Sequence, residues 1–200
     1  MVRIAAGAEA GNVFSSEVRV ALAPDATYRR LLTGEVQVTW WRMLGRPAMV
    51  LLVIGTSVSI MAVQRVTLGL VATAALSWSF VVAIQGLVGA GMIASAPARR
   101  VGVLRALDLW FAGYLPYSLW MLTSFAWMGS STSAPLEILV CSAIAPAAWT
   151  ALIVSAFCRT VLDTTPSGAR RRAAAHQVIV WAIGLTYVAW SAGGWFQLLP

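Results

Sequence analysis

From residue 47 onward the chain is built from five long apolar stretches, each almost free of charge, between which short connectors nearly free of charge alternate with longer arginine-rich ones. A helix that crosses a bilayer needs ~20 consecutive, mostly apolar residues. A helix on the surface of a soluble domain keeps a polar face instead. The pattern therefore predicts an all-α, polytopic transmembrane helix bundle, with spans at about 47–63, 66–94, 106–128, 135–157 and 176–196. Residues 1–46 are mixed in character and read as a cytoplasmic, partly interfacial amino-terminal segment.

Composition supports the same reading. Apolar residues make up 60% of the chain and charged residues 10%, where soluble domains average ~45–50% and ~25%. With only 14 basic and 7 acidic residues, the chain cannot cover a water-facing surface. All of the basic residues are arginines, and they sit at the ends of the apolar stretches. Six arginines precede the first span, three lie in the connector after the second and four in the connector after the fourth, whereas Arg65 alone lies on the other side. Arginine-rich connectors stay on the inner side of a membrane, which predicts the amino terminus inside and the carboxyl terminus outside. Nucleic acid is not an expected partner, because its binding needs basic groups gathered on a solvated surface.

The amino-terminal 30 residues carry scattered charges and no apolar stretch of signal-peptide length, so insertion is expected through an uncleaved first span. Residues 5–12 are small and are expected to be disordered, and 13–23 alternate weakly, as an extended segment does. Pro24 and Asp25 open a short helix. Its Tyr28, Leu31 and Leu32 share a face suited to a membrane interface. Trp40, Trp41, Arg42 and Arg46 read as a headgroup-level anchor.

Within the spans, lengths and prolines set further expectations. The second stretch is overlong and must tilt, protrude or bend, and Gly86, Gly89 and Gly91 offer the place. Their GxxGxG spacing is not that of a nucleotide loop, and together with the Gly55/Ser59 pair it reads as close helix packing. Pro116 should kink the third helix and Pro146 the fourth, since neither can donate to the preceding turn.

Candidate binding residues are the few polar or backbone-breaking groups within the apolar stretches: Gln85, Asp108, Tyr114, Pro116, Tyr117 and His176. Gln85 suits an interhelical hydrogen bond. Asp108, at a helix start with Arg105 three residues back, suits a local ion pair, as Glu137 suits the start of the fourth span. Tyr114, Tyr117 and Ser118 can satisfy groups freed at Pro116. His176 could join Asp108 and Asp163 at the inner face, but a metal site needs three or four converging ligands. No GxSxG elbow is present. Cys141 and Cys158 lie ~25 Å apart along one helix and cannot pair with each other. Neither catalytic residues, a metal nor a cofactor is expected.

The Trp40-Trp41 to Arg46-Pro47 segment and the Gly113-Tyr114-Leu115-Pro116 segment, within this five-span layout, resemble the Yip family of membrane proteins. That family has Rab-interacting members in eukaryotes and bacterial members as well. The resemblance implies a small membrane-organising or trafficking-type protein without catalysis, and it carries over no site residue. Three functions follow as expectations. The first is a non-enzymatic protein acting through helix contacts with itself or a membrane-protein partner. The second is a small permease or permease subunit with a site near the third and fourth helices. The third is an interfacial enzyme using Asp108, Asp163 and His176. The absence of lysine and the short loops suggest a bacterial cytoplasmic (inner) membrane.

Overall fold

The computed structural model describes residues 13–33, 40–131 and 136–195. The expectation for residues 5–12, the first residue of the fourth span and the last residue of the fifth span lie outside them. Among the described residues the chain is all helical. The elements are α1 (Val13–Leu22), α2 (Pro24–Thr33), α3 (Trp40–Val63), α4 (Leu68–Ser77), α5 (Ser79–Ala94), α6 (Val103–Phe111), α7 (Leu115–Ser130), α8 (Leu136–Ser142), α9 (Ile144–Thr160) and α10 (Pro166–Trp195).

Two stretches, Met43–Val63 and Val140–Thr160, are long and apolar enough to cross a membrane, and α4 with α5 makes a third if the bent pair counts as one span. The helix of the first expected span, α3, begins at Trp40, ahead of the expected residue 47. The overlong second stretch does bend, by 45°, but at Trp78 and not at the glycines. Ser77 Oγ donates to the Thr73 carbonyl at 2.9 Å and Ser79 Oγ to the Leu76 carbonyl at 2.8 Å. Such serine back-bonding loosens and bends a helix. One of the glycines is needed for something else. A Cβ on Gly89 would lie 2.6 Å from Trp110 Nε1, so Gly89 lets α6 approach α5, whereas one on Gly86 would make only ordinary contact with Phe111 at 3.6 Å and one on Gly91 would meet open space.

The expected kink at Pro116 is instead a break. Helix α6 ends at Phe111, Ala112 to Tyr114 turn, and α7 restarts at Leu115 with Pro116 in its first turn, where a missing N–H costs nothing. Gly113 is required here because a Cβ would come within 2.8 Å of Ile153 Cγ2. The fourth stretch likewise breaks at Ala143, leaving Pro146 in the first turn of α9. Trp120 Nε1 donates to Ser142 Oγ at 2.9 Å beside that break. Gly55 allows the same close approach of α3 to α4, where an added Cβ would run into the Val71 carbonyl.

The largest departure from expectation is at the amino terminus. Residues 13–22 form a helix rather than an extended segment, because Val20 and Ala21 are buried against the bundle. Burial of a helical face outweighs the weak β preference of Val13, Val18 and Val20. Tyr28 does not face an interface. It is buried edge-on against Phe157, with ring centroids 5.8 Å apart, and its hydroxyl donates to the Leu109 carbonyl at 3.4 Å. Trp149 Nε1 donates to the Ala21 carbonyl at 2.8 Å. The α1–α2 hairpin is thus part of the packed bundle.

Connectors meet in two groups at opposite ends. At one end the Arg100 N–H donates to the Val161 carbonyl at 3.1 Å and Arg172 Nη2 to the Ser95 carbonyl at 2.8 Å, joining the two arginine-rich connectors. At the other end Gln64 Nε2 donates to the Gly129 carbonyl. Gln64 has φ 52°, which tightens the turn after α3.

Candidate functional site

The sequence candidates separate into two buried polar clusters. The first is ionic. Asp108 lies in the second turn of α6, since that helix begins at Val103 rather than 106. Its carboxylate accepts from Arg46 Nη1 at 2.7 Å and from Arg105 Nη1 at 2.8 Å, so both oxygens are engaged. Arg46 also donates to the Asp108 backbone carbonyl and, through Nη2, to Ser16 Oγ at 3.1 Å. Arg105 Nη2 donates to the Leu31 carbonyl at 3.0 Å. The expected Arg105–Asp108 pair is present, three residues apart. Arg46 was expected to anchor among headgroups. It is buried, with its side chain 7% exposed against 2% for Asp108, because one arginine alone cannot satisfy a carboxylate from which water is excluded. The cluster therefore ties α1 and the end of α2 to α3 and α6.

Glu17 completes the network at its edge. Its carboxylate lies 3.5 Å from Arg46 Nε, a charge contact, while Arg46 Nε has no hydrogen-bond partner. Burial raises the Glu17 pKa above 4.5; Arg46 opposes that shift and Asp108 adds to it. Asp108 already holds Arg46, so the attraction left for Glu17 does not offset its lost hydration. The folded state then binds the proton more tightly than the unfolded chain, and stability falls as pH rises from about 4.5 through the raised value. In unfolding curves across this range, wild type should lose stability with pH relative to Glu17→Gln. A difference that grows in favour of wild type would show that the Arg46 attraction dominates, and a flat one that it cancels the cost of burial.

The second cluster is uncharged and joins α5, the α6–α7 break and α10. Tyr114 donates its hydroxyl to Gln85 Oε1, and His176 Nε2 lies 3.2 Å from the same oxygen and 3.5 Å from the Tyr114 hydroxyl. His176 Nδ1 lies 3.5 Å from Gln177 Nε2. One assignment satisfies both ring nitrogens: Nε2–H donates to Gln85 and Nδ1 accepts from Gln177, as in the neutral imidazole. Gln177 Oε1 accepts from the Tyr117 hydroxyl at 3.0 Å and from Trp181 Nε1 at 3.2 Å. Trp110 closes the group, donating Nε1 to the Gln85 carbonyl at 3.1 Å with its ring edge-on to His176. Gln85 lies ~15 Å from the end of α5 at 1.5 Å per residue, about half the thickness of a bilayer's hydrocarbon.

Gln85, Tyr114 and His176 are thus brought into contact, and Tyr117 joins them through Gln177. Asp108 belongs to the other cluster, and Asp163 pairs with Arg100 at the surface. His176 does not join either aspartate, which removes the geometry expected for the interfacial enzyme. Among the described residues no three His, Cys, Asp or Glu side chains converge as metal ligands do. The space beside Tyr114, bounded also by Tyr28, Trp110 and Thr150, is about 10 Å³, roughly enough for one water. Arg46, Tyr28, Trp110 and Gln177 were not among the sequence candidates. Gln177 next to His176 was the one signal available, since two adjacent polar residues opening an apolar stretch need partners.

Comparison with protein-family models, with curated proteins and with solved structures finds no match to this chain.

Proposed function

We propose that this chain is a five-span membrane protein of a bacterial cytoplasmic membrane that acts through helix contacts, with itself or with another membrane protein, and not through catalysis. Its support is an inversion of the usual distribution of side chains. Arg46, Gln85, Asp108 and His176 are buried and matched to one another's networks, while Leu68, Leu76, Leu87, Leu152 and Val178 stand exposed. Water favours the reverse arrangement. Hydrocarbon favours this one, since it penalises unpaired polar groups and tolerates apolar surface.

The grouping of connectors supports five crossings with the amino terminus inside, because the two arginine-rich connectors meet at one end and the two short ones at the other. The break between α6 and α7 then falls within the third crossing, where irregular backbone is tolerated because it is buried in protein, as Ala112 to Tyr114 are; the Tyr114 and Tyr117 hydroxyls go to Gln85 and Gln177 and not to backbone groups freed at Pro116. The permease reading draws little from the space beside Tyr114, which holds about 10 Å³, or from a Gln85 whose side chain is taken up by Tyr114 and His176. The segments behind the resemblance to the Yip family have local roles: Arg46 holds Asp108 and Gly113 admits Ile153. This is in keeping with a family-like architecture used for membrane organisation.

The test is association in a bilayer. Copies with Cys141 and Cys158 replaced and labelled through Leu152→Cys, an outward position 67% exposed, should show energy transfer above random proximity at low protein-to-lipid ratios. Transfer at the random level at every ratio would remove self-contact from the proposal.

A further inference from the structure

At the arginine-rich end, a cleft of about 600 Å³ opens between α2, the α5–α6 connector and the end of α9, lined by Asp25, Arg29, Arg100, Arg159 and Thr160. Three arginines face one aspartate. The two pairs that shape the cleft, Arg159 with Asp25 at 2.7 Å and Arg100 with Asp163, are solvent-accessible, all four side chains being about half exposed. Each pair engages a single guanidinium nitrogen, and a guanidinium carries five N–H donors. Arg29 has no ion pair or hydrogen bond among the described residues and projects into the same space. The walls are held in place by backbone. The Arg100 N–H is bound to the Val161 carbonyl. The Cys158 carbonyl accepts from both the Thr164 N–H at 3.1 Å and the Thr164 hydroxyl at 2.8 Å. Asp163, at φ 51°, takes the left-handed conformation that Asp tolerates. The last turn of α9 is thus capped by the protein itself, and its partial negative charge faces the guanidinium groups of Arg29, Arg100 and Arg159 that line the cleft.

From this cleft we infer a phosphate-binding site whose ligand is the headgroup phosphate of an anionic phospholipid. Planar guanidinium forks match tetrahedral phosphate oxygens, and basic clefts between helices at the inner membrane face take anionic headgroups. The volume suits a headgroup, and the exposed apolar faces of the neighbouring helices suit acyl chains. The assignment rests on the bilayer reading above, which places this end of the bundle at headgroup level. Free phosphate shares the chemistry and is the other source to be distinguished.

The full chain is reconstituted into phosphatidylcholine vesicles, and flotation is scored first. A protein that fails to float overturns the bilayer reading itself. In phosphatidylcholine nanodiscs containing graded phosphatidylglycerol, native mass spectrometry then counts retained lipids, with inorganic phosphate as competitor. Wild type should retain one phosphatidylglycerol in preference to phosphatidylcholine. Arg29→Gln should weaken that retention about fivefold, the effect of one basic residue on anionic-lipid binding. Asp25→Asn should strengthen it by releasing the fork of Arg159. Arg170→Gln, exposed at the same end but outside the cleft, should leave it unchanged. Competition by millimolar phosphate would support the site with free phosphate as its ligand, and its absence would support the lipid. Equal losses in Arg29→Gln and Arg170→Gln, or no preference for phosphatidylglycerol in a protein that floats, would overturn the site.

Discussion

An Asp108→Ala variant should lose about 3–5 kcal/mol of stability, the usual cost of removing one partner from a buried ion pair. The carboxylate is almost fully enclosed and accepts from both Arg46 and Arg105. Without it the Arg46 guanidinium stays buried with only Ser16, the weak contact to Glu17 and a carbonyl as neighbours. The loss should show as earlier unfolding in detergent and as new protease sensitivity in α1 and α2, because Arg46 and Arg105 bind groups on both. Arg46→Ala should cost a similar amount, and the double variant clearly less than the sum, since the second change removes a charge already stranded. A loss below about 1 kcal/mol for Asp108→Ala, the range of solvent-screened pairs, would mean that water reaches the cluster.

Gly89→Leu should destabilise by about 3 kcal/mol, combining overpacking of ~1–3 kcal/mol with loss of a hydrogen bond worth ~1 kcal/mol. Even a Cβ at this position meets the Trp110 ring at 2.6–2.8 Å, so the indole must leave the Gln85 carbonyl. Gly91, two residues on in the same helix, faces open space. Gly91→Leu should therefore be nearly neutral and serves as the control for helix propensity, where leucine is favoured over glycine. Unfolding midpoints of the two variants, with tryptophan emission reporting on the Trp110 environment, decide the matter. Equal shifts would show that α5 and α6 do not pack through this glycine.

These two sites also show what could be seen in the sequence. That Gly89 permits close packing was legible from the glycine spacing, because a missing side chain has few other uses in an apolar helix, whereas Gly86 and Gly91 leave room for a Cβ. Their partner was not, since nothing local marks Trp110 as the residue that fills the gap. Asp108 with Arg105 was legible as a local pair. Arg46 was not, because an arginine beside two tryptophans at the start of an apolar run has the same pattern whether it meets headgroups or a buried carboxylate. Only the fold of α1 and α2 excludes solvent there. The helix at Pro24 was legible from its Pro-Asp start, but α1 before it was the hardest to anticipate. Val13 to Ala23 has no strong period of its own, and its conformation is set by burial of Val20 and Ala21. The prolines were read as kinks because each lies inside an apolar run. The structure uses both at helix starts, where breaks at Gly113 and Ala143 had already ended the preceding turn. Gln85 and Tyr114 were found because polar groups in apolar stretches are conspicuous, and their contact with His176 depended on tertiary packing.

The central claim, that the chain crosses a bilayer five times with its arginine-rich end inside, is tested most directly by single-cysteine accessibility. In a background with Cys141 and Cys158 replaced, cysteines are placed at residues 30, 65, 99, 131 and 170 and treated with a membrane-impermeant maleimide on sealed right-side-out vesicles. Positions 65 and 131 should react at once, and positions 30, 99 and 170 only after the vesicles are permeabilised. Labelling of 65 and 170 from the same side, or equal labelling of all five before permeabilisation, would contradict the account.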